Sequence, residues 1–196
     1  MKYFFLILLF LSFFSCKTLN YSFFEEITGE EKSAFMIKTA ENSFMKDNGQ
    51  IGGIYTEKNR NYRFLVTYNI PDGVYKLEFF DIINDNEKIF DARLEENEAF
   101  YDFYIDSFFS AKIGSILKRF RYILDINVKE SKMFITRDDY RVLKDDKNNF
   151  FKFDDNLIIK KENDFNKVKY FYSSKKKIER IEFESPGNNF IITIKD

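Results

Sequence analysis

The chain has no histidine, no tryptophan, one cysteine, two prolines and seven glycines in 196 residues. Each scarcity removes a class of chemistry. Without imidazole there is no Ser–His or Cys–His nucleophile and no thiol–imidazole zinc site. The lone Cys16 has no partner, so no disulfide can form within the chain. No glycine-rich phosphate loop is present. Neither sign of charge dominates: 31 Lys and Arg stand against 32 Asp and Glu. A nucleic-acid binder would show a basic field, and general attraction to an anionic surface is likewise not expected. The pairs Asp138-Asp139, Asp145-Asp146 and Asp154-Asp155 invite a calcium reading. None has the EF-hand order, with Gly sixth and Glu twelfth, and all fall where turns are expected. Two carboxylates would suffice for a glycosidase, but no pair stands out. The sequence therefore points to no cofactor, no metal and no enzyme. What is abundant is Phe (26) and Tyr (12), which gives the chain the means to pack a core and argues against disorder.

Residues 1–17 read MKYFFLILLFLSFFSCK. One positive charge, Lys2, precedes an apolar run over 3–14, then small Ser15 and Cys16. The run is shorter than the roughly 18–20 residues a bilayer-spanning helix needs, and its order is that of a secretory signal. With Cys16 first after the cut, the stretch resembles a bacterial lipoprotein signal. That resemblance implies cleavage before Cys16, a thioether-linked diacylglycerol on its sulfur and an acyl chain such as palmitate on the new amino terminus. An ordinary signal peptide with a chance Cys, or an uncleaved anchor, are the alternatives. Lys17 stands where Asp marks inner-membrane retention, so the resemblance favours the outer membrane.

Residues 16–33 read as a tether followed by a short helix over 23–33, interrupted by Gly29. From 34 to the end strand signals recur every 8–14 residues, as in an antiparallel meander. A strand is expected over 35–41, a turn at Asp47-Asn48-Gly49, and a return strand over 52–56. Then Tyr62, Phe64, Val66 and Tyr68 alternate with Arg63, Leu65 and Thr67. Ile70-Pro71-Asp72-Gly73 makes a turn, and Tyr75, Leu77 and Phe79 take one face of the next strand. Across 105–125 the period changes. Ile105, Phe108, Phe109, Ile113, Ile116, Leu117, Phe120, Ile123 and Leu124 form one stripe of an α-helix, capped by Asp106 or Ser107. Strands then resume. Val168, Tyr170 and Tyr172 form one apolar row, Ile181 and Phe183 a second, Phe190, Ile192 and Ile194 a third.

One-sided strands predict a large antiparallel sheet wet on one face. Some ten strands twist and curl, and the 105–125 helix is the available filler. The expected fold is mainly β (α+β): a curled sheet or incomplete β-barrel wrapped around one amphipathic helix. A trough lined by Tyr62, Phe64, Val66, Tyr75, Leu77, Phe79, Phe109, Ile113, Ile116 and Phe120 would suit an acyl chain if the helix leaves space. If it does not, the same residues are simply core.

The order of elements, with GGIYTEKNRNYRFLVTYNIPDGVYKLEFFD at 52–81 and KKKIERIEFESPGNNFIITIKD at 175–196, resembles the lipoprotein-localisation factors LolA and LolB. That family implies an incomplete barrel that carries the acyl chains of lipoproteins. A LolB-like membrane-contact loop would fall at Ile70 and Pro71. The implied partners are lipid or lipoprotein acyl chains and, through the Cys16 lipid, a membrane. The competing expectation is a non-catalytic structural or adhesion lipoprotein with a filled core.

Overall fold

The computed structural model describes residues 23–42, 48–58, 60–82, 87–95, 98–103, 113–124, 126, 131–186 and 188–194. In chain order these form β1 (Phe23–Ile27), α1 (Gly29–Asn42), β2 (Asn48–Glu57), β3 (Arg60–Asn69), β4 (Val74–Asp81), β5 (Lys88–Glu95) and β6 (Glu98–Phe103). There follow α2 (Ile113–Leu124), β7 (Lys132–Thr136), β8 (Arg141–Lys144), β9 (Phe150–Asp154), β10 (Leu157–Glu162), β11 (Lys167–Tyr172), β12 (Ile178–Ser185) and β13 (Asn188–Ile194).

All thirteen strands belong to one open antiparallel sheet, in the order β1-β7-β8-β9-β10-β11-β12-β13-β2-β3-β4-β5-β6. Two meanders, β2–β6 and β7–β13, are joined where the last strand pairs with the second, Ile192 facing Tyr55. At this seam Gly53 lies so near the Thr193 carbonyl oxygen that a Cβ on Gly53 would collide with it. A strand glycine here permits close backbone approach.

The registers put the large apolar side chains on one face. Phe183 faces Phe190, Phe64 faces Phe79, Val66 faces Leu77 and Tyr68 faces Tyr75. Phe79 in turn faces Phe90, and Leu77 faces Ala92. Stacked rings continue the row, with centroids 4.8 Å apart for Phe79–Phe90 and for Phe183–Phe190. The opposite face carries ion pairs such as Lys88–Glu78 and Lys169–Glu184, each at 2.7 Å. Arg63 and Arg180 lie over the rings of Phe80 and Phe171. This division between one apolar and one charged face is the one the alternation predicts.

Both helices pack on the apolar face, and here three expectations are corrected. Residues 23–27 form a strand, not the start of a helix. The helix begins at Gly29, whose φ of +67° suits glycine, and Glu30 and Glu31 occupy its first turn, where the dipole favours acids. The strand expected over 35–41 is therefore the body of α1. The apparent alternation came from Ile37, which is 61 % exposed. The residues buried are Phe35 and Thr39, four apart on one helical face. Phe35 sets its ring edge-on to Phe153 at 5.3 Å, so α1 covers β9 and the sheet has two helices on it among the described residues. Third, the expected turn residues Asn48 and Gly49 are paired within β2, opposite Asn69 and Tyr68.

The helix expected over 105–125 is found as Ile113–Leu124. The candidate caps Asp106 and Ser107, together with Phe109 and Cys16, lie outside the described residues. No helix among the described residues is long and apolar enough to cross a membrane.

Phe79 is fully buried and meets Tyr55, Tyr62, Phe64 and Phe90. Phe79→Ala should lower unfolding free energy by about 3–5 kcal/mol in urea denaturation. The exposed-site control Ile37→Ala should change it by less than about 0.5 kcal/mol.

Candidate functional site

The site is the apolar face beneath α2. The helix presents Ile116, Leu117, Phe120, Ile123 and Leu124, all nearly or completely buried. Their spacing of one, three and four is a single helical stripe. Phe120 sits at the centre, 5.2 Å from the Phe64 ring and within 6.5 Å of Tyr55 and Phe190. Its ring thus bridges β2, β3 and β13. The helix also touches β4, β5 and β6.

The carboxyl end of α2 is held by the sheet. The last carbonyls of a helix have no partner within it, and the sheet supplies two donors. Lys161 Nζ donates to the Tyr122 carbonyl at 2.6 Å and Tyr170 Oη to the Ile123 carbonyl at 2.9 Å. Lys161 is only 3 % exposed and lies over the Tyr122 ring at 4.1 Å. Its charge meets the negative end of the helix dipole, which offsets part of the cost of burying it.

A second polar group lies on β2. The buried Glu57 carboxylate accepts from Tyr55 Oη at 3.0 Å. Burial, then the neighbouring Glu57 charge, pushes the Tyr55 phenol far above its usual range, against an opposing pull from Arg119. Arg119 also lies 5.9 Å from the Phe183 and Phe190 ring centres. The phenols of Tyr122, Tyr170 and Tyr172 are raised as well, chiefly by burial.

The space between helix and sheet is small. A void of about 10 Å³ is lined by Phe64, Val66, Phe120, Ile123, Ile181, Ile192 and neighbouring aliphatics. That is about one water's worth of room, in a lining with nothing polar to hold a water. Ligand pockets run to about 300–1,000 Å³. Among the described residues, the void against α2 is far smaller than such a pocket.

Of the expected trough residues, Phe64, Val66, Tyr75, Leu77, Phe79, Ile116 and Phe120 come together in one buried cluster, with Tyr62 half-buried against it. Ile113 opens α2, and Phe109 is outside the described residues. Ile70 is half-buried and packs against the core, whereas Pro71 beside it is exposed. The acidic pairs sit in turns. Asp145 Oδ1 accepts from the Lys147 and Asn149 backbone N–H at 2.9 and 2.7 Å, which is turn-forming work. No group of three or more Cys, Asp or Glu side chains is placed to hold a metal among the described residues.

The residues that sequence reasoning missed are Tyr55, Glu57, Phe90 and Lys161. Tyr55 and Phe90 belong to alternating rows, but their place beneath α2 depends on the β13–β2 and β4–β5 pairings. Nothing local marks Lys161 as buried among its lysine-rich neighbours.

The raised tyrosines generate a pH prediction. The fold favours the neutral phenol, so this contribution is intact below about pH 10 and is lost as pH rises above it. In an absorbance titration, Tyr55, Tyr122, Tyr170 and Tyr172 should stay un-ionised at about pH 11 while the chain is folded, and their phenolate signal should appear together with alkaline unfolding. A comparison with protein-family models finds no match, and no curated protein matches the chain.

Proposed function

We propose that this is a non-catalytic, lipid-anchored cell-envelope protein of the LolA/LolB type, in which α2 occupies an acyl-chain site and gives way to the ligand. The observation that carries the reading is the make-up of the α2 contact. Among the described residues, the helix meets the sheet mainly through apolar side chains, with polar contacts from Arg119 to Tyr55 and at its carboxyl end to Lys161 and Tyr170. An acyl chain could replace such contacts at about 0.8 kcal/mol per buried methylene. The lipoprotein-like signal at Cys16 supports the envelope setting, with the outer membrane favoured by Lys17.

The same contacts support a curled sheet. A twelve-residue helix is about 18 Å long. It reaches from Lys161 on β10 to β5, seven inter-strand spacings away in the sheet order, or about 34 Å if the sheet were flat. Side chains close part of that gap, and bending of the sheet toward the helix would close the rest. This supports the reading of an incomplete barrel around α2.

The 10 Å³ void favours a second reading, a structural or adhesion lipoprotein in which α2 is permanent core. One experiment separates the two. The chain has no tryptophan, so Phe120→Trp is a unique probe of the trough. Carrier function predicts that a fatty acid brominated along its chain quenches this fluorescence saturably, and that native mass spectrometry finds co-purified acyl ligand. No quenching and no ligand would leave the filled-core reading standing.

A further inference from the structure

Strand directions determine which turns share a rim of the sheet. The chain enters the described structure at Phe23, beside Thr136 of β7. The β7–β8 turn (137–140), the β9–β10 turn (155–156) and the β11–β12 tip (173–177) follow on that rim in sheet order. Lys176 Nζ lies 3.9 Å from Asp155, a direct contact between two of these turns. The opposite rim holds the β2–β3 turn with Lys58, the β8–β9 turn with Lys147 and the β10–β11 turn with Phe165.

Six residues separate Cys16 from Phe23. Seven Cα steps span at most about 25 Å. The strands at the attachment, β1 and β7, have five residues each, about 17 Å, and β2 and β3 have ten, about 33 Å. The tether starts on the rim that holds Phe23, so attachment at Cys16 favours that rim over the far one.

Charge then selects among the remaining orientations. Lys175, Lys176 and Lys177 are all exposed at the β11–β12 tip. The Ser173 hydroxyl accepts from the Lys175 and Lys177 backbone N–H at 3.3 Å each, which shapes the loop that carries them. The neighbouring turns carry Arg137, Asp138, Asp139 and Asp155, and Asp154 ends β9, all exposed. The rim as a whole is mixed in charge, and its largest positive cluster is the lysine tip. We propose that this rim is the membrane-facing end of the molecule, and that Lys175, Lys176 and Lys177 contact the phosphates of anionic phospholipid headgroups.

The inference rests on attachment at Cys16, and the test keeps the two apart. Full chain purified from producing cells is first weighed by mass spectrometry for acyl groups on Cys16. Their absence ends the lipid-anchor reading, and the Cys16 thiol is then coupled to a maleimide lipid so that the rim is tested regardless. On vesicles of equal parts phosphatidylglycerol and phosphatidylcholine, a water-soluble lysine-acylating reagent is applied and modified peptides are read by mass spectrometry. Modification of Lys175, Lys176 and Lys177 should fall several-fold relative to protein free in solution, with Lys58 and Lys147 unchanged. On phosphatidylcholine alone that protection should largely disappear. Protection of Lys58 and Lys147 with a freely modified tip, equal modification everywhere, or tip protection that ignores headgroup charge would each overturn the proposal.

Discussion

The constraint on which the structure depends is that the apolar face of a thirteen-stranded sheet must be kept from water. Phe and Tyr side chains dominate that face, and each buries a large area. An open sheet cannot cover itself. Two short helices do the covering, α1 over β9 and α2 over the seam between the meanders. The charged face needs no cover, because its lysines and glutamates pair across strands at the surface. Such exposed pairs contribute little stability individually, so the folding free energy comes mainly from the aromatic face.

From this constraint follows the position of α2. Its stripe meets rows from both meanders, and Phe120 lies over the β13–β2–β3 junction. The helix is thus the element that joins the two halves on the packed side, as the β13–β2 ladder joins them by backbone hydrogen bonds. Its carboxyl end is tied to β10 and β11 by Lys161 and Tyr170. The carrier reading rests on this largely apolar contact, which another apolar body could take over.

Much of the architecture was legible in the sequence because strand alternation and helix period are local signals. The alternating rows Phe64/Val66/Tyr68, Tyr75/Leu77/Phe79 and Phe190/Ile192 lie on one apolar face, and the described part of the helix expected over 105–125, residues 113–124, is helical. Where local signals conflict with packing, the reading went astray. Residues 35–41 alternate like a strand, yet Phe35 packs against Phe153 of β9 with Thr39 buried on the same helical face, and Ile37 is the apolar residue left outside. Asn48 and Gly49 have turn chemistry, but ten residues of ladder with β3 outweigh it. The buried Lys161 and the Tyr55–Glu57 pair were invisible because long-range register creates their surroundings.

The central claim is that α2 is a replaceable occupant of the aromatic face. Native-state hydrogen exchange tests it most directly, by comparing amides of 113–124 with those of β2–β4 in increasing denaturant. Exchange of α2 through a local opening, well below the free energy of global unfolding and with β2–β4 still protected, is the predicted result. Exchange of α2 and β2–β4 only together, in one global transition, would make the helix permanent core and contradict the account.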